Sequence, residues 1–182
     1  MLVKDILREC LAKMGEEDFT DKPAADRTDA EKALAAKLVS ALNTAYREAV
    51  TGYLPLIAEE TVTATDGYIP ASSLARAIVY PVSLVTAAGE KRRLRSAPDG
   101  VATDLNGTGV LRYAYLPEDA DESGEIEDMR LTVSVLSDGA LAELYYRDKV
   151  FDIAESYDSD FRAALGALRY KGREMRLGAG RR

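Results

Sequence analysis

The hydrophobic repeat of this 182-residue chain changes period twice, and no other feature constrains its fold as much. Up to about residue 52, apolar side chains recur every three or four positions. Between Pro55 and Pro117 they fall in short, often alternating runs between turn residues, and after Ser137 the helical spacing returns. A stripe of period 3.6 belongs to a helix and a stripe of period 2 to a half-buried strand, and neither pattern sits comfortably as the other. The predicted order is therefore helices, a β-insert, and helices again.

Leu2, Ile6-Leu7, Cys10-Leu11 and Met14 make an amphipathic first helix, with Gly15 placed to end it as a C′ residue. Glu16 to Arg27 is polar, contains Pro23, and is predicted as a loop. Thr28-Asp29-Ala30-Glu31 has the form of a capping box and opens an alanine-rich helix through Leu34, Leu38, Ala41-Leu42, Ala45-Tyr46 and Ala49 to about Gly52. Thr61-Val62-Thr63 and the Asp66-Gly67 turn predict a strand and hairpin. Ile78 to Val85 is the most apolar run, and Pro81 confines it to an edge or a bulge because proline donates no ladder bond. Ala97-Pro98-Asp99-Gly100 and Asn106-Gly107-Thr108-Gly109 supply turns, and Val110 to Leu116 forms a strand with Leu111, Tyr113 and Tyr115 on one face.

The C-terminal third is predicted to begin at a cap, Ser137-Asp138, and to run through Leu141, Leu144, Tyr145, Phe151 and Ile153-Ala154. The polar cluster Ser156-Tyr157-Asp158-Ser159-Asp160 favours a turn before Phe161, Ala164-Leu165, Leu168 and Met175, which gives an αα-hairpin packed on the second helix. The expected organisation is N-terminal helices over 1–56, a β-domain over 57–117, an acidic loop over 118–136, the helical hairpin over 137–177 and a basic tail over 178–182. This is an α+β fold, mainly α: a bundle of N- and C-terminal helices with a small antiparallel β-domain inserted and left to project.

Chemistry is constrained chiefly by what the sequence lacks. Without histidine it has no Ser-His-Asp or Cys-His arrangement and loses the commonest transition-metal ligand. The lone Cys10, set among Leu7, Leu11 and Met14, is expected to act as a small buried hydrophobe. The acidic loop carries Glu118, Asp119, Asp121, Glu122, Glu125, Glu127 and Asp128 with no intervening base, but not in the order of an EF-hand, and is predicted as solvated. Lys91, Arg93 and Arg95 would share one side of a strand, opposite Arg92 and Leu94, as a charged outer face. Gly107 and Gly109 open no helix and so form no dinucleotide loop. No catalytic residue, metal ligand or cofactor is nominated, and the chain is predicted not to be an enzyme.

Tyr145, Tyr146, Tyr157, Phe161 and Tyr170 crowd the helical third and suit either core alone or core together with a subunit interface. Apolar residues on more than one side of these helices favour interface. A net charge of −7 argues against a dedicated nucleic-acid binder, although six bases lie between Arg169 and Arg182. No run approaches a membrane span, and charge follows Met1 too closely for a signal peptide, so cytosolic synthesis with no membrane association is expected.

Tyr68-Ile69-Pro70, Leu74, Ile78, Pro81-Val82, Gly89, the stretch Gly109 to Pro117 and the helical pair after Ser137 together resemble the head-to-tail adaptor (connector) proteins of tailed bacteriophages. The likeness covers nearly the whole chain. The long alanine-rich second helix and the polar loop at Glu16 to Arg27 depart from it. The resemblance implies a homo-oligomeric ring, dodecameric in that family, in the virion neck. The protein would be made in the host bacterial cytoplasm and docked beneath the portal protein, joined to a tail or stopper protein, with DNA passing through unbound. It also implies that a C-terminal segment, here with Arg173, Arg176, Arg181 and Arg182, docks on the portal. The alternative reading is a nucleic-acid-binding or regulatory module that uses Lys91 to Arg95 and the Arg-rich tail.

Overall fold

The computed structural model describes residues 1–174, with side chains through Arg169. It is an α+β fold, mainly helical, with two small antiparallel sheets. The chain divides into two compact units, one made of Met1–Leu54 with the chain from Asp119 onward, the other of Pro55–Glu118.

The first unit holds α1 (Val3–Met14), α2 (Asp29–Glu48), α3 (Val133–Arg147) and α4 (Phe151–Glu174). Gly15 ends α1 in the left-handed conformation, with φ 73°, where a side chain would be strained. The capping box of α2 is complete: Thr28 Oγ1 accepts from Glu31 N at 3.2 Å, and Glu31 Oε2 accepts from Thr28 N at 2.7 Å. A five-residue π-type turn, Ala49–Tyr53, closes α2. The loop before α2 is more firmly held than its polar composition predicts, because Phe19, Thr20 and Arg27 are buried.

Two boundaries differ from those expected. α3 starts four residues before Ser137, capped by Thr132, whose Oγ1 accepts from Val135 N at 3.3 Å. Ser137 and Asp138 instead meet α1: Lys13 Nζ donates to Ser137 Oγ at 2.8 Å and to Asp138 Oδ1 at 2.6 Å. Within α3, Leu136, Ser137, Gly139, Ala140, Leu141, Ala142 and Leu144 are all buried. That is the mark of a central helix, and α3 packs on α1, α2 and α4. Gly139 permits the closest approach, for a Cβ there would sit 2.8 Å from the Phe161 ring and 2.9 Å from the Ala45 Cβ.

The second difference lies in α4, which runs unbroken through the polar cluster 156–160. Glu155, Ser156, Ser159 and Asp160 lie on its exposed side, while Ala154, Phe161 and Leu165 keep a buried stripe. Asp158 braces Arg162 one turn on at 2.8 Å. The hairpin turns earlier, at Asp148-Lys149-Val150, where Lys149 takes φ 62° and Val150 N donates to Tyr145 O at 2.9 Å.

The second unit contains β1 (Leu56–Ala64), β2 (Tyr68–Pro70), β3 (Ile78–Thr86), β4 (Lys91–Arg92), β5 (Leu94–Ala97), β6 (Gly100–Thr103) and β7 (Gly107–Tyr115). The sheets have the orders β1-β7-β3-β4 and β2-β6-β5. Asp66 and Gly67 both adopt positive φ, the two-residue turn that their sequence predicts. Pro81 lies next to a bulge on the part of β3 that has β7 on one side and no β4 partner on the other. The second expected turn is shorter than its four residues, since β7 already includes Gly107 to Gly109. Gly109 is needed for packing: a Cβ would meet Leu84 Cδ1 at 3.0 Å and Val85 O at 3.1 Å. Val62, Ile69, Leu84, Val101, Leu111, Tyr113 and Tyr115 make up most of this unit's core.

Candidate interaction surfaces

The end of the α3–α4 hairpin exposes large apolar side chains among charged ones. Tyr146, Val150, Phe151 and Ile153 are 37%, 39%, 55% and 43% accessible, and the Tyr146 and Phe151 rings lie 6.4 Å apart at 50°. The Tyr146 and Phe151 rings meet across the turn, with Val150 exposed between them in sequence and Ile153 exposed on the first turn of α4. Asp148, Asp152 and Glu155 are exposed in the same segment.

The other aromatic candidates divide differently. Tyr145 and Tyr157 are half-buried and stacked, with centroids 6.0 Å apart and planes within 3°, so they join α3 to α4. Phe161 is only 1% accessible, packed where Gly139 makes room. Its expected place at an interface is thus corrected to the core. For Tyr170 and Arg173 only helical backbone is described, and Arg176, Arg181 and Arg182 lie outside the described residues.

The acidic loop is not simply solvated, because distant cations reach it. Arg27 Nη1 donates to Glu122 Oε2 at 2.8 Å, and Arg47 Nη2 lies 2.7 Å from Asp119 Oδ1. Asp128 is buried and takes Arg130 through two oxygens, at 2.8 and 2.6 Å. Asp121 Oδ1 accepts from Ser123 N and Oγ, while Glu118, Glu125 and Glu127 remain exposed. Backbone bonds hold the loop as well, from Val3 N to Gly124 O at 3.0 Å and from Ile126 N to Met1 O at 2.8 Å. An open groove of about 520 Å³ runs along α2 over Ala35, Ala36 and Val39, and both arginine–carboxylate pairs border it. No group of three metal-ligating side chains occurs among the described residues.

In the β-unit, Tyr113 is buried and its hydroxyl donates to Glu60, whose carboxylate also accepts from Ala75 N at 3.1 Å. Burial, together with that carboxylate, pushes the phenol up to about 12. The Arg76 guanidinium lies 4.6 Å from the centroid of the Tyr115 ring. Cys10 is buried, and desolvation raises its thiol to about 12, which suits packing and not thiolate chemistry.

The basic run is not one strand. β4 ends at Arg92 and β5, which belongs to the other sheet, begins at Leu94. Exposure nevertheless alternates as predicted, with Lys91, Arg93 and Arg95 outside and Arg92 and Leu94 partly buried. No described helix is long and apolar enough to cross a membrane.

No protein-family model matches this chain, and no curated protein matches it in sequence.

Proposed function

We propose that the chain is a structural protein of the tailed-phage neck, an adaptor subunit that assembles as a ring between the portal and a tail or stopper protein and continues the DNA channel. The observation that carries this reading is the exposure of Tyr146, Val150, Phe151 and Ile153 at the end of the helical hairpin, with the Tyr146 and Phe151 rings in contact. Such a patch is costly to leave in water and is covered in an assembly. A second copy is the occupant we assign to it. When a patch meets a different surface of the next subunit, the contact is heterologous, and repetition of a heterologous contact closes a ring if the rotation allows.

The resemblance in sequence supports the choice of assembly. The charge supports it too: at −7 per chain, the protein opposes tight capture of passing DNA, whose affinity would come from neutralised phosphates. In this role the protein performs no reaction and needs no cofactor. The Arg-rich C-terminal segment serves as the portal-docking element, and the protein resides in the virion.

Co-expression with the portal protein encoded in the same genome, followed by mass measurement of the purified particles, tests the reading. A closed oligomer that co-purifies with the portal is expected. A chain that stays monomeric across the micromolar range and ignores the portal contradicts it.

A further inference from the structure

We infer that the β-unit carries a phosphodiester-binding strip, formed by Lys91, Arg93 and Arg95, that takes the backbone of an extended nucleic acid without reading its sequence. The inference does not rest on ring assembly. Many of the molecule's arginines are paired internally. In the helical unit, Arg8, Arg27, Arg47, Arg130, Arg147 and Arg162 each face a carboxylate. In the β-unit, Arg92 is held by Glu90 at 2.6 Å and Arg112 by Glu59 at 2.8 Å. Lys91, Arg93 and Arg95 are exposed, and none has an ion-pair partner among the described residues. Three cations without an ion pair within five residues, against the one carboxylate of Asp104 beside them, are a local positive field in an acidic protein.

The backbone presents them as a row. Arg93 sits at the crossing between the two sheets, and its N–H donates to Asp104 Oδ1 at 3.0 Å, which fixes the crossing. With Arg92 and Leu94 turned inward, the three outward cations step two residues at a time. Extended chain rises about 3.3 Å per residue, so the step is about 6.6 Å. Successive phosphates of one strand rise about 3.4 Å along the duplex axis but follow the helical path, so their through-space spacing is larger and of the order of this step.

Arg93 and Arg95 also border an open cleft of about 280 Å³ floored by Ala102 and Thr103, with Asp104 on its rim. The small floor leaves room for phosphate oxygens, and the rim carboxylate is engaged by the Arg93 N–H. A compact anion would call for donors that converge on one point. Arg93 and Arg95 border the cleft while Lys91 lies outside it, so the three cations extend beyond a single compact-anion site, which favours an extended polyanion. At −7 overall, the contact is weak and strongly salt-dependent.

The test is fluorescence anisotropy of a labelled short duplex with the full chain, from low to moderate salt. Wild type is compared with the triple variant Lys91→Ala, Arg93→Ala and Arg95→Ala, and with Arg112→Ala as a cation control in the same unit. The expected results are binding at low salt, equal for two unrelated duplex sequences, and a log–log salt slope shallower by about 2–3 in the triple variant but unchanged in Arg112→Ala. Circular dichroism of the triple variant should match wild type. The inference is overturned if wild type does not bind at low salt, or if the triple variant keeps the wild-type slope. It is overturned equally if Arg112→Ala loses as much as the triple variant, or if inorganic phosphate at matched ionic strength displaces the duplex. Oligomer mass is a separate readout, so failure here leaves the assembly reading standing, and the reverse holds.

Discussion

The helical unit and the β-unit differ in what they leave exposed. In the helical unit, cations are spent on the fold: Lys13 ties α1 to α3, Arg27 and Arg47 reach Glu122 and Asp119, and Arg130 secures the buried Asp128. The hairpin end leaves Tyr146, Val150, Phe151 and Ile153 exposed among charged side chains. The β-unit is held by its aromatic and aliphatic core and by the Tyr113–Glu60 bond, and it leaves Lys91, Arg93 and Arg95 unneutralised. A charge with a partner inside the fold is accounted for by stability, whereas an exposed charge or apolar patch without one points outward, to whatever the protein meets.

This contrast has consequences of graded size. The largest concerns the helical core, where Phe161→Ala removes a buried ring from the seam beside Gly139 and should cost about 3–5 kcal/mol in denaturant unfolding followed by helix signal. A near-neutral value would mean the ring is not core and would restore it as an interface residue. Next comes Arg27→Ala. The guanidinium is 6% exposed and donates to Glu122, to the Lys22 carbonyl at 3.0 Å and to the Thr20 carbonyl at 3.3 Å. Leaving these acceptors unmatched should cost about 1–3 kcal/mol, whereas Lys91→Ala should stay within about 0.5 kcal/mol. Equal costs would erase the distinction between the two units.

The smallest effect is one of pH. Glu31 is held down to about 2, first by its hydrogen bond from Lys22 and then by the Thr28 N–H. Asp18 is held at about 2, chiefly by the Thr20 hydroxyl and N–H. Both folded values lie below the ordinary 4.5 and 3.8 of the free groups. Their stabilisation is therefore complete above those ordinary values and is lost as pH falls toward 2. Thermal melts across that acid window should show a steeper decline in wild type than in Glu31→Gln, and parallel declines would contradict the assignment.

The features legible in the sequence were those whose causes are local. Gly15 needs only its own φ, the Thr28–Glu31 box spans one turn, and Asp66-Gly67 makes its hairpin from two residues. What escaped depends on contacts distant in sequence. Ser137-Asp138 has the composition of a cap, but Lys13, more than a hundred residues earlier, takes both side chains. The cluster 156–160 looks like a turn until Tyr157 is seen to stack on Tyr145 and Asp158 to pair with Arg162. The actual turn uses Lys149 at positive φ, where neither Gly nor Asn marks it. The acidic loop looks unopposed because its cations come from α2 and from the loop before it. Among the candidate surfaces, the alternation of Lys91, Arg93 and Arg95 was readable, whereas the hairpin patch appeared only once the turn was placed.

Assembly through that patch is the central claim, and sedimentation velocity of wild type beside the double variant Phe151→Ser and Ile153→Ser tests it most directly. The account predicts a closed oligomer for wild type, and for the variant a monomer with the wild-type far-UV circular dichroism and a lower, concentration-independent melting temperature. A wild type that sediments as a monomer, or a variant that assembles as well as wild type, would contradict it.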